Sequence, residues 1–187
     1  MKRFIVALFL ASAVVACKEE KPQLTQEQLE RQRIDSLETQ IKASVQKAEN
    51  PDIKLAMTAV KQYLYFAKDY PKDSLAPEYL FKAAQIYEGV LNDYPRAAEV
   101  YKQVYEAYPE YRKRPMMLFY QANVYHQLQD TSSAILYFKR FADTYPDHPF
   151  ADDAESMIKF MRMNEADMQK FFEQSADRET APKAHMP

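Results

Sequence analysis

The stretch that decides the reading is AAEVYKQVYEAYP, Ala97 to Pro109. It has an echo on either side, AVKQYLYFAKDYP from Ala59 to Pro71 and AILYFKRFADTYP from Ala134 to Pro146. The closing prolines lie 38 and 37 residues apart. Each segment opens on Ala (Ala59, Ala97, Ala134), then carries an aromatic residue (Tyr63, Tyr101, Phe138) and a large apolar one (Phe66, Val104, Phe141). Their relative positions, 0, 4 and 7, fall on one helical face. Alanine there lets a neighbouring helix come close, and the aromatic ring fills the gap beside it. A residue before proline is biased out of the α region, so each helix is expected to stop at Tyr70, Tyr108 or Tyr145. Three matched columns at one period mark a repeat array.

A second helix precedes each of the two later segments. Pro77 to Leu91 carries Leu80, Ala83, Ala84 and Tyr87, and Pro115 to Leu128 carries Leu118, Ala122 and Tyr125. Proline stands at each helix start, where its missing N–H costs little. Asp93 and Asp130, 37 residues apart, close the tight connections and are expected to cap the helices that follow.

Composition narrows the function classes. The 187-residue chain has a single glycine, Gly89. A Gly-rich phosphate loop, a nucleophile elbow and a tight-turned β-sandwich are thereby excluded. One cysteine allows neither an intramolecular disulfide nor a Cys-based zinc site. A net charge of −2 and a pI near 6.0, with no basic block, argue against nucleic acid as a partner. An apolar fraction of 47% with a mean hydropathy of −0.56 suits a soluble helical domain.

No catalytic constellation emerges. The only histidines are His126, His148 and His185, without paired spacing. Asp147, His148 and Asp152 could be read as ligands, but a loop and helix start suits them better. Asp152 and Asp153 diverge by about 100° on a helix, so charge stabilisation of a helix start fits them better than acid–base work. Ser132 and Ser133 also sit where a helix begins. No catalytic residue, metal site or cofactor is expected.

The columns resemble the tetratricopeptide repeat. That family places a small residue and Tyr on the first helix, then Ala, an aromatic and Pro on the second. Here they read Ala84, Tyr87, Ala97, Tyr101, Pro109, then Ala122, Tyr125, Ala134, Phe138, Pro146. Leu80 and Leu118 replace the usual Trp, Val104 and Phe141 replace the usual second-helix Ala, and the unit is 37–38 residues. The longer loop and the segment Phe141 to Pro149 resemble the tetratricopeptide lipoproteins of the bacterial envelope, the BamD and Tol–Pal coordinator types. The resemblance covers residues 52–162. It implies an all-α, right-handed superhelical stack of helical hairpins. About two full repeats would be joined by flanking half-repeats and capping helices. It further implies a non-catalytic scaffold that holds a protein or peptide. In such proteins the first helices line a groove with the positions not used for packing. These are Glu78, Phe81, Lys82, Gln85 and Glu88, then Met116, Phe119, Tyr120, Asn123 and His126. Phe81 and Phe119 are expected to point away from Ala84 and Ala122. In the alternative, the N-terminal helix or the C-terminal cap fills the groove and both rings are core.

The flanks complete the organisation. Lys2 and Arg3 precede an apolar run from Phe4 to Val15, the pattern of a secretory signal. It ends Val14-Val15-Ala16-Cys17, which resembles a lipobox. The expected division is a signal peptide, 1–16, and a lipidated tether, 17–22, acylated (palmitate type) at Cys17. An ordinary signal with a chance cysteine is the alternative. No Asp follows Cys17, which predicts the outer membrane. Lys18-Glu19-Glu20 resembles a surface-export signal or is a plain solvated tether, so the side of the membrane stays open. Residues 23–50 form an N-terminal helix with the stripe Ile34, Leu37, Ile41 and Val45. The stripe is too short for a sustained coiled coil, so a helix covering the array is preferred. The repeat domain follows at 51–162, a capping helix with Met168, Phe171 and Phe172 at 163–177, and a disordered tail at 178–187. The functional expectation is a membrane-anchored scaffold in envelope assembly or maintenance, with an envelope protein or peptide as partner. An outer-membrane carrier or receptor lipoprotein binding a small ligand, such as a glycan, is the alternative. The oligomeric state is left open.

Overall fold

The computed structural model describes residues 23–47, 51–164 and 166–171. The signal peptide, Cys17, the tether, the tail and the end of the expected cap, Phe172 included, lie outside them. Seven helices follow in order: α1 Gln26–Lys47, α2 Ile53–Asp69, α3 Ala76–Gly89, α4 Tyr94–Ala107, α5 Arg114–Gln127, α6 Thr131–Thr144 and α7 Ala151–Met161. Residues 166–171 are also helical, and no strand occurs among the described residues.

The repeat columns form the core. Ala59, Ala97 and Ala134 are fully buried, as are Tyr101, Phe138, Phe66, Val104 and Phe141, with Tyr63 nearly so. Each helix from α2 to α7 packs chiefly on its neighbours in sequence. The helix ends follow the local chemistry. Asp52, Asp93 and Asp130 each accept a hydrogen bond from a backbone N–H in the first turn of α2, α4 and α6. At the other end, Tyr70, Tyr108 and Tyr145 leave the α region, their N–H groups donating to the carbonyls of Phe66, Val104 and Phe141. The tight turns inside two hairpins hold Asn92 and Gln129 at φ 50° and 60°, a left-handed conformation that costs a side chain with a Cβ.

One finding extends the expected organisation. The N-terminal helix does not stand apart from the array, because α1 packs against α2 and makes a further hairpin. Ile34 and Leu37 are its buried apolar side chains. Polar contacts supply much of its docking. The Arg31 guanidinium pairs with Asp73, and the Tyr63 hydroxyl donates to Glu38 at 2.9 Å. Burial pushes the Asp73 carboxyl up, but hydrogen bonds from the Leu75 N–H and its charged neighbours hold it below the ordinary range.

Helix α7 departs from the repeat columns. The columns that face the next helix are Leu80, Ala84 and Tyr87 on α3, and Leu118, Ala122 and Tyr125 on α5. On α7 and its C-cap the same places hold Glu155, Lys159 and Arg162. A charged outer face keeps the terminal helix of a solenoid in water. The side of α7 turned back to the array keeps buried Ala151 and Ala154.

Candidate protein-binding groove

The first helices α1, α3, α5 and α7 leave one side free of the packing columns. On α3 that side carries Glu78, Lys82 and Gln85, and on α5 the matching places hold Met116, Tyr120 and Asn123. On α7 they hold Asp153, Met157 and Phe160. Helix α1 contributes Asp35, Glu38 and Lys42 beside α3, across an open cleft of about 660 Å³.

Pairing orders the charges on this face. Lys82 Nζ lies 2.6 Å from Glu38 Oε1, linking α3 to α1. Lys113, just before α5, lies 2.8 Å from Glu78 on α3, and the Tyr111 hydroxyl donates to the same carboxylate at 2.6 Å. Burial pushes the Glu78 carboxyl up, yet the hydrogen bonds from Lys113 and Tyr111 outweigh it and hold the pKa below the usual range. The phenols are the converse case. Burial, then hydrogen bonding to Glu38 or Glu88, drives the Tyr63 and Tyr101 hydroxyls far up. Burial pushes Tyr79 up to about 12. All three phenols therefore stay neutral, and those of Tyr63 and Tyr101 donate to Glu38 and Glu88.

Six of the ten sequence-expected groove residues share this face: Glu78, Lys82, Gln85, Met116, Tyr120 and Asn123. Phe81 is placed differently. It is 5% exposed, its ring 6.2 Å from Tyr101 and 5.5 Å from Tyr120. Phe119 is half-buried, 5.1 Å from the Phe138 ring, 5.4 Å from Phe141 and 5.6 Å from Phe150. The reason is angular. One residue on from the Leu80 and Leu118 columns is about 100° round the helix, still within the side that the next hairpin or loop covers. Glu88 is taken up by the Tyr101 hydroxyl at 2.6 Å. His126 is exposed in the last turn of α5.

Sequence reasoning missed Glu38, Lys42, Tyr111 and Lys113. Helix α1 lacks the Ala and Tyr columns, and α2 starts one turn earlier relative to Ala59 than α4 does relative to Ala97. The hairpin was therefore invisible at the common period. Tyr111 and Lys113 lie in the loop, where only the Tyr108-Pro109 register could have flagged them.

Among the described residues no group of three or more His, Cys, Asp or Glu could hold a metal ion. His148 instead accepts from the Phe150 N–H at 3.2 Å and packs 5.1 Å from the Phe141 ring. No described helix is long and apolar enough to cross a membrane. The tetratricopeptide repeat profile matches residues 56–112 and, overlapping them, 87–149. Together the matches run from within α2 to the loop after α6. No curated protein matches the chain.

Proposed function

The chain belongs to the tetratricopeptide repeat family, and we propose that it is a lipid-anchored member of the bacterial outer membrane, tethered at Cys17. In this reading it is similar to the BamD and Tol–Pal coordinator types and holds an envelope protein or peptide during envelope assembly or maintenance. Repeats of this family generally act as protein-binding scaffolds, which makes catalysis by this chain a poor expectation.

The observation that carries the reading is the ordered first-helix face. Glu38, Lys82, Glu78 and Lys113 are held by cross-hairpin pairs, while Gln85 stays exposed and Tyr120 and Asn123 half-exposed beside them. Preorganised polar groups next to aromatic and methionine side chains lower the ordering cost of binding a peptide or helix. The anchor rests on the sequence pattern before Cys17.

Two experiments test the two halves. A pull-down from solubilised envelopes should recover a stoichiometric protein partner and lose it with Lys82→Glu or Asn123→Ala. Enrichment of a saccharide with no protein would overturn the scaffold reading in favour of a carrier. Cys17→Ser should leave the protein unprocessed or move it to the soluble fraction. A processed, wild-type-sized protein that still fractionates with membranes would overturn the anchor.

A further inference from the structure

Helix α2 presents to solvent a face unlike those of the other second helices. Ile53, Met57 and Tyr65 are 48%, 59% and 51% exposed. Among them stand Lys54, Lys61 and Lys68 at seven-residue spacing, on one stripe of the helix. None of the three lysine ammonium groups has an ion-pair or hydrogen-bond partner among the described residues.

The neighbouring carboxylates are occupied. The Asp69 carboxylate beside the Tyr65 hydroxyl pushes that phenol up, Asp52 caps the helix start, and buried Glu30 pairs with Arg33 at 2.6 Å. The outer faces of α4 and α6 contrast with this. There Lys102 lies 4.0 Å from Glu106, and Lys139 lies 2.7 Å from Asp143. Among the described residues, α2 alone sets three unpaired lysines among exposed large apolar side chains along one line; on α6 the exposed Leu136 stands with Lys139, which is paired, and Arg140, which lies 5.0 Å from the Tyr105 ring.

We propose that this face of α2 rests on an anionic lipid surface. It deepens the membrane-tether reading above, because an anchored scaffold still needs an orientation, and this face supplies one. The Ile53, Met57 and Tyr65 side chains would enter the headgroup boundary. The lysine stems lie beside them, with their ammonium groups reaching the lipid phosphates. The argument for lipid is charge complementarity. Three unpaired lysines interleaved with apolar side chains match a flat, diffuse anionic surface, and together they change partition by on the order of a hundredfold. Three half-exposed apolar side chains alone would hold only weakly. A tether that keeps the face close makes the modest attraction sufficient.

The test uses the full chain with Met57→Cys, carrying an environment-sensitive fluorophore. It is reconstituted in phosphatidylcholine vesicles with or without phosphatidylglycerol. The emission should shift to the blue only where phosphatidylglycerol is present. Lys54→Glu, Lys61→Glu and Lys68→Glu together should abolish the shift, and so should about 1 M salt, which cuts the screening length to about 3 Å. All three lysines are exposed, so the fold should survive, and an unchanged circular dichroism melt checks this. The same probe in Ser132→Cys, at the matching place on α6, should not respond. Identical emission in both vesicles, or a shift that survives the triple substitution, overturns the proposal in favour of a protein-facing surface. The wild-type chain is labelled in parallel. Label on Cys17 would refute the anchor alone, and the probe at position 57 is then read in a Cys17→Ser background.

Discussion

Truncating Phe119 separates packing from binding on the first-helix face. The ring lies 5.1–5.6 Å from those of Phe138, Phe141 and Phe150, two of them edge-on. Phe→Ala in a full core costs about 3–5 kcal/mol, and each edge-to-face pair adds about 0.5–1.5 kcal/mol. Phe119 is only half-buried, so the cost falls below the full-core range, and Phe119→Ala should cost about 2–3 kcal/mol. The loss is local to α5, α6 and α7, because stability in a repeat array is a sum over neighbouring units. Urea unfolding followed by circular dichroism should therefore show an earlier and broader transition. Asn123→Ala, on the neighbouring half-exposed position, should move the midpoint by no more than about 0.5 kcal/mol and weaken partner capture. An undisturbed melt for Phe119→Ala together with lost capture would refute the reasoning, because the ring would then be a contact residue.

Three further outcomes follow from single sites. Asp73, whose side chain is 4% exposed, has a lowered pKa, so its stabilisation is complete above the unfolded carboxylate value near 3.9 and fades as pH falls through the folded one. Asp73→Asn should cost about 2 kcal/mol at pH 7 and flatten the acid side of a melting-temperature profile. A variant with an unchanged acid slope would show that the Arg31 pair does not hold α1. Gln121 is buried, and its Oε1 lacks a partner among the described residues; Gln121→Met should stabilise by about 1 kcal/mol, and calorimetry showing a clear loss would mean the oxygen is satisfied. Gln129→Gly should gain about 0.5–1 kcal/mol by relieving the left-handed backbone, and chemical denaturation that gives no gain would place the strain elsewhere.

The second helices were legible because one residue type does one job at a fixed spacing. Ala97 must be small, Tyr101 must fill the gap and Tyr108 must end the helix before Pro109. Such constraints repeat with the hairpin and so stand out from the sequence. Helix α1 was legible as a helix but not as half of a hairpin. Its docking runs through Arg31, Glu38 and two buried apolar side chains, and polar docking leaves no periodic trace. The Phe81 and Phe119 placements failed to read out for another reason. A face left free within one helix can still be covered by the following one, and only the stacking angle decides that. The same limit hid the middle interface. Ala67 on α2 and Ala76 on α3 are both buried, but the places 38 residues on, in α4 and α5, hold Tyr105 and Arg114. There the guanidinium stacks 4.2 Å from the ring, and its Nε donates to the Tyr105 carbonyl at 2.9 Å.

In the proposed scaffold, packing and recognition would fall on two sets of positions on the same helices. The second-helix columns Ala59, Ala97 and Ala134, with Tyr63, Tyr101 and Phe138, repeat because each fills the same gap beside the neighbouring hairpin. Positions that face the groove carry no such demand, and here they diverge. One place reads Lys82, Tyr120 and Met157 from α3 to α7, and another reads Gln85, Asn123 and Phe160. The face therefore runs from paired charges at α1 and α3 to methionine and aromatic surface at α5 and α7. A partner that spans it would need carboxylate or ammonium groups towards one end and apolar side chains towards the other. Its direction along the stack would be fixed by that gradient, because reversing it would bury Glu38 and Lys82 against apolar groups and leave the ion pairs without solvent or partner.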